Sequence, residues 1–167
     1  MIRLELYGSP VLRTPPPDVK TFDGPLRAQL KRMRKQMRLY DGVGLASTQV
    51  GWFRRAFVWA YQGQGGEACN PQLIDISEEL DQGEPEGCLS IPGLRASVFR
   101  ARAVTLKAQR ADGEPFEMRA EGFVARIFQH EVDHLDGTLF IDRTRGLERA
   151  RVNEGLRDFE ISRTVRA

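Results

Sequence analysis

The feature that most constrains this chain is Gln129-His130-Glu131-Val132-Asp133-His134, because it contains both of the protein's histidines. At about 100° per helical residue, His130 and His134 stand one turn apart and roughly 40° apart in angle. Both imidazoles then reach one ion. Glu131 lies beside them, displaced from the ligand positions but close enough to take a proton from a water at that ion. This is the H-E-x-x-H logic of zinc hydrolases. A purely structural explanation requires both histidines to fall at ligand spacing around a glutamate by accident. The pattern predicts a helix from about Gly122 to Asp136, with Gly137 where a left-handed cap belongs.

Two imidazoles seldom complete a catalytic site, so a third protein ligand is expected. The extended metzincin pattern places a histidine ten residues after His130, and that position is Phe140. The ligand is therefore Cys, Asp or Glu. A thermolysin-like arrangement would use a downstream carboxylate, and spacing leaves Glu148, Glu154 and Glu160 open. The surroundings of Cys88 favour it instead. Glu86-Gly87-Cys88-Leu89-Ser90 follows the turn-rich Asp81-Gln82-Gly83-Glu84-Pro85, and a thiolate is a strong ligand for Zn(II) or Fe(II). Cys69, followed by Asn70-Pro71, reads as a small buried hydrophobe. In Gly42-Val43-Gly44-Leu45-Ala46-Ser47-Thr48-Gln49 the glycines let backbone approach a ligand closely. The stretch lacks the endings of a phosphate loop, and alone it reads as a helix C-cap and turn.

The length of 167 residues fits one domain, 1–167, able to bury a core without disulfides. Two cysteines are too few for a disulfide framework. With 25 Lys plus Arg against 23 Asp plus Glu, the balance is too even to argue for nucleic acid, so no specific DNA binding is expected. No apolar run approaches the ~20 residues of a membrane span, and the start shows no secretory or transit character. The expectation is a cytoplasmic protein with no membrane association.

A short strand is predicted from Ile2 to Leu6, then an extended loop through Thr14-Pro15-Pro16-Pro17-Asp18. A first helix starts at Asp23-Gly24-Pro25, carries Leu26, Leu30, Met33, Met37 and Tyr40 at helical spacing, and stops at Gly42. Its other face holds Arg27, Lys31, Arg32, Arg34, Lys35 and Arg38, with no acid between Leu26 and Tyr40. A solvated face is the default reading of such a charge run. Strands are expected over Ala56–Ala60, ended by Gln62-Gly63-Gln64-Gly65-Gly66, and then over Leu73–Ile76, Val98–Ala108 and Phe116–Arg119. A last helix is expected over Leu147–Phe159, with Leu147, Val152, Leu156 and Phe159 on one side.

The three chemistry-bearing segments, Gly42–Gln49, Glu86–Ser90 and Gln129–Gly137, appear in the order and spacing of the peptide deformylases. The similarity extends to Ser9-Pro10-Val11-Leu12-Arg13 and Leu139-Phe140-Ile141-Asp142, and so spans about residues 4 to 145. The resemblance implies an α+β fold of mixed β-sheets packed around a central metal-bearing helix, with an N-terminal and a C-terminal helix. It implies removal of the formyl group from the initiator methionine of new bacterial proteins. Carried over position by position, Cys88, His130 and His134 would hold one divalent ion. Family habit favours Fe(II), with Zn(II), Ni(II) or Co(II) able to substitute. Glu131 would be the general base and acid, and the Gln49 side chain and Leu89 N–H the oxyanion donors. Val43, Gly44, Arg95 and Ile127 would meet the substrate, with His130 also lining the methionine pocket, and Arg100 and Asp133 would form a structural ion pair. Ser47, Arg126 and Phe128 depart from the usual pattern, the last two at positions that bear on pocket shape.

Two other readings compete. An H-E-x-x-H endopeptidase would cut internal peptide bonds and use a carboxylate third ligand. A non-catalytic ribosome-binding module is suggested by the basic first helix and by seven Arg against four acids from Arg143 to Ala167. Transient ribosome contact is also compatible with the enzyme.

Overall fold

The computed structural model describes residues 3–165, with side chains through residue 160. Its organising element is helix α2 (Gly122–Leu135). Ala125, Phe128, Val132 and Leu135 recur at three- and four-residue spacing, form one stripe and are buried. That stripe packs on a five-stranded sheet. Its members are β1 (Gly44–Ala46), β2 (Ala56–Tyr61), β3 (Gln64–Ile74), β8 (Ala103–Gln109) and β9 (Pro115–Glu121), in the order β1-β2-β3-β8-β9. Two short ribbons complete the β structure: β4 (Leu80–Asp81) with β7 (Arg100–Ala101), and β5 (Glu86–Cys88) with β6 (Ile91–Ala96). Every ladder among the described residues is antiparallel.

Strand alternation explains how one sheet serves two helices. Ala46, Phe57 and Trp59 turn towards α2, where the Phe128 ring lies 6.1 Å from Phe57 and 5.0 Å from Trp59. Leu45, Ala56 and Val58 turn the other way and pack with α1 (Gly24–Leu39) through Leu26, Leu30, Met33 and Met37. Asp23 caps α1, its Oδ1 accepting from Leu26 N–H at 2.9 Å. At the other end Asp41 takes a left-handed φ of 52°, and Gly42 N–H donates to Met37 O at 2.9 Å. The helix C-cap and turn expected of Gly42–Gln49 is therefore confined to its first residue. The rest leads into strand β1 and then a 3₁₀ turn, Ser47–Val50.

α3 (Gly146–Val165) buries Val152 and Leu156 against Leu12, Ile91, Phe140 and Ile141. Leu147, expected on the same side, is 91% exposed. At ~100° per residue it sits about 140° from Val152, too far round to join that stripe.

Three further expectations are corrected. Residues 3–6 form no ladder, and Ile2 lies outside the described residues. This segment is instead tied by single bonds, Glu5 N–H to Gln49 O at 2.8 Å and Tyr7 N–H to Ser90 O at 2.9 Å. The break expected over Gln62–Gly66 takes only two residues, Gln62 and Gly63, both at positive φ as a tight hairpin requires. Gln64, Gly65 and Gly66 already belong to β3, and Gly65 is a glycine because a Cβ there would lie 2.7 Å from Trp59 O. The run Val98–Ala108 is not one strand: Arg100–Ala101 pairs with β4, and Ala103–Gln109 enters the large sheet. Alternation does not reveal a change of partner. Among the described residues, no helix is long and apolar enough to cross a membrane.

Candidate metal centre

The side of α2 opposite its sheet-facing stripe carries Ile127, His130, Glu131 and His134, again one helical face. The β5–β6 corner brings Cys88 to it. The register of that ribbon shifts between Gly87 and Cys88, the kind of irregularity that re-aims a side chain. Cys88 Sγ lies 3.2 Å from His134 Nε2. The ligand atoms of Cys88, His130 and His134 all fall within 4.8 Å of one another. Gly137 (φ 72°) ends the helix, and a Cβ there would lie 2.7 Å from Arg13 O. The expected glycine is thus required by both backbone conformation and space.

Glu86 fixes His130. Its Oε2 lies 3.0 Å from His130 Nδ1, which leaves Nε2 as the ring nitrogen able to bind an ion. The carboxylate is itself held by Arg100 through Nε (2.8 Å) and Nη2 (2.9 Å), and by Arg126 Nη1 (2.8 Å). Arg100 Nη1 continues to Asp133 Oδ2 at 2.5 Å, and Arg143 Nη2 to Asp133 Oδ1 at 2.6 Å. The Arg100–Asp133 pair expected from the resemblance is present. The central role of Glu86, and the parts of Arg126 and Arg143, were not foreseen. Glu86 stands beside Cys88 in the same short motif, but nothing local marks a carboxylate as the meeting point of two distant elements, β7 and α2.

Gln49 is buried, its Oε1 accepting from Ala46 N–H at 2.9 Å. That bond orients the amide nitrogen, which lies 3.4 Å from Cys88 Sγ and 3.2 Å from Ser90 Oγ. Gly44 packs directly on Glu131: a Cβ at Gly44 would sit 2.2 Å from Glu131 Oε1. Glu131 Oε2 and His134 Nδ1 are buried without a hydrogen-bond partner. A cleft of about 840 Å³ opens over the site. Val43, Gly44, Gln49, Cys88, Leu89 and Arg95 line it from one side, with Ile127, His130 and Glu131 from α2. His134 lies behind them, 1% exposed. The ligand, catalytic and substrate residues singled out from the sequence are therefore in one place. Of the alternatives left open for the third ligand, Glu148 accepts from Ser97 N–H and pairs with Arg151, while Glu154 and Glu160 are exposed on α3. Cys88 is the third member of the cluster.

The electrostatics suit a cation. Burial would raise the Glu86 carboxyl, but hydrogen bonds and charge from Arg100 and His130 outweigh it and hold the group far below the usual range. Burial disfavours a charged His130, yet Cys88, Glu86 and Glu131 around it raise its pKa, so the surroundings favour positive charge there. Burial, helped by the charge of His130, pushes His134 well below its ordinary value and keeps it neutral. Burial raises Glu131 to about 7, with the charge of His130 opposing it. A cysteine sulfur, two imidazoles and a buried carboxyl group with one oxygen lacking a partner fit a Zn(II) or Fe(II) centre of catalytic type.

Comparison with known proteins gives the same direction. The family model for polypeptide deformylase matches residues 1–150. The peptide deformylase of Thermotoga sp. (strain RQ2) is 40% identical over 166 residues, 99% of each chain. That of Acidothermus cellulolyticus is 43% identical, covering 98% of this chain and 90% of its own. The crystal structure of the Thermus thermophilus enzyme superposes with a TM-score of 0.91 at 36% identity, over 97% of this chain and 96% of its own. The match in sequence and fold places this chain in the peptide deformylase family.

Proposed function

We propose that Cys88, His130 and His134 hold one Fe(II) ion, replaceable by Zn(II), Ni(II) or Co(II), and that Glu131 moves the proton during deformylation. The activity is that of the family: hydrolytic removal of the N-formyl group from newly made polypeptides by a metal-dependent enzyme. The observation that carries the residue assignment is the convergence of three ligand atoms within 4.8 Å, with Glu131 beside them.

A bound ion would supply Lewis acidity, making water acidic enough to give hydroxide near neutral pH. The chain's own residues do the rest. Glu131 accepts a proton from the attacking water and delivers it to the departing amine, so that the formyl C–N bond breaks to formate and a free methionyl amine. The Gln49 amide and the Leu89 N–H stabilise the developing oxyanion, and losing one such donor costs about 10²–10³ in rate. Gly44, held against Glu131, leaves room for substrate backbone beside the base. Val43, Ile127 and Arg95 bind the peptide, with methionine in the cleft. We place the reaction in the bacterial cytoplasm, with 1–167 as one catalytic domain. The exposed cations Lys31, Arg32, Lys35 and Arg38 on α1 offer a surface for transient ribosome contact.

Formate release from a formyl-Met peptide tests this, using protein purified without oxygen and loaded with Fe(II), beside Cys88→Ser. Formate from the wild type and little from the variant is expected. Cleavage of internal peptide bonds without formate would contradict the assignment and favour an endopeptidase.

A further inference from the structure

Arg126 is a cation buried in the helix that carries the metal ligands, with only 5% of its surface exposed. Its guanidinium reaches away from α2 to the facing wall of the cleft. Nη2 donates to Asp81 O (2.8 Å) and Gln82 O (2.7 Å), and Nη1 to Val98 O (2.8 Å) and Glu86 Oε1 (2.8 Å). One planar group thus ties four acceptors, three of them within residues 81–86 and the fourth at Val98, a geometry that a lysine ammonium does not reproduce.

The two ends of this wall are held by the β4–β7 and β5–β6 ribbons, but the span between them is not. Residues 82–85 belong to no ladder, and Glu84 and Pro85 line the cleft next to Ile127 and Arg126 itself. A second side-chain bond to this stretch comes from the neighbouring strand β6, the exposed Arg95 Nη2 to Pro85 O, 3.0 Å. The loop also fits closely round the guanidinium: Gly83 has a φ of 52°, and a Cβ there would lie 2.8 Å from Arg126 Nη2.

We propose that Arg126 is a positioning residue that sets the width of the side-chain pocket, and through it the selection of methionine over bulkier first residues. This rests on the deformylase reading. Arg126 touches no reacting atom; it acts by holding the 82–85 span at a fixed distance from α2. Without it, the Asp81, Gln82 and Val98 carbonyls lose a donor, and the 82–85 span loses its tie to α2. A pocket wall contacts the side chain in ground and transition states alike, so the effect falls on KM more than on kcat.

The test compares formyl-Met and formyl-Phe tripeptides on Co(II)-loaded wild type, Arg126→Met, Arg126→Lys and Gly83→Ala, with metal content measured on each. The wild type prefers formyl-Met. Arg126→Met is expected to lower the Met-over-Phe ratio of kcat/KM about tenfold, within the range a pocket change commands. The loss should appear in KM, with metal content unchanged. Arg126→Lys should fall between. Gly83→Ala, which presses on the guanidinium without removing it, should shift the ratio the same way and carries the test if Arg126→Met does not fold. An equal loss on both peptides, or loss of metal, would overturn the proposal. No formate from the wild type on either peptide would instead defeat the deformylase reading beneath it.

Discussion

Helix α2 has two buried sides built on different principles. Towards the sheet it presents Ala125, Phe128, Val132 and Leu135, apolar groups packed on Phe57 and Trp59. Towards the cleft it presents His130, Glu131 and His134, polar groups with little exposure, two of them leaving an atom without a partner. The first side stabilises the fold through area and volume. The second costs stability, because buried polar groups lacking partners are unfavourable. Under the proposed function that cost goes with a pre-arranged set of metal ligands beside one carboxylate, as the chemistry needs. Stability and activity should therefore separate along this helix.

The largest expected effect is on the cleft side. Glu131→Ala should lower deformylation by about 10²–10⁴, the usual range for a general acid–base group. Its melting temperature should match or exceed the wild type, since a buried carboxylate oxygen without a partner is removed. Phe128→Ala is the opposite case. It should cost about 3–5 kcal/mol in a denaturant titration while the folded fraction keeps its kcat. Equal behaviour of these two variants in both assays would erase the distinction.

Smaller effects sharpen it. Glu86→Gln keeps the shape of the group but loses the carboxylate that orients His130, and should weaken metal affinity by about 10–100-fold in a competition with chelator. Asp142 lies outside the helix and gives a pH test. Burial alone would raise its carboxyl, but hydrogen bonds from Arg13 and Leu139 N–H hold it below its ordinary value. Its folded pKa is depressed, so its contribution is present above the unfolded value of about 3.9 and is lost as pH falls through the folded one. The stability gap between wild type and Asp142→Asn should be open at neutral pH and close on acidification below about pH 4. The smallest effect concerns Cys69, whose thiol burial pushes up to about 12. It should resist alkylation near pH 8 in the folded protein, while chelation of the metal exposes Cys88 to reagent.

The two sides of α2 were not equally legible in the sequence. Apolar periodicity and caps located α1 and α2 nearly to the residue, because Asp23, Gly42 and Gly137 act on their own neighbours. The histidine pair was legible for the same reason, since helical spacing alone sets its geometry. What spans segments was not. Glu86 and Arg143 look like ordinary surface charges, and Arg126 like a change of pocket shape alone, until β5, α2 and the turn after Gly137 join them in one network through Arg100 and Asp133. The split of Val98–Ala108 between two sheets was hidden because alternation reports the faces of a strand and never its partner. Leu147 misled because apolar character was read without its angle round the helix.

The most direct test of the division of labour on α2 measures metal content and formate release on the same preparation of Glu131→Ala, beside the wild type. One equivalent of metal in both proteins, and formate from the wild type alone, is the expected result. Formate from Glu131→Ala at the wild-type rate would contradict it, as would loss of the metal, because ligand and proton-transfer roles would then not be carried by different residues of α2.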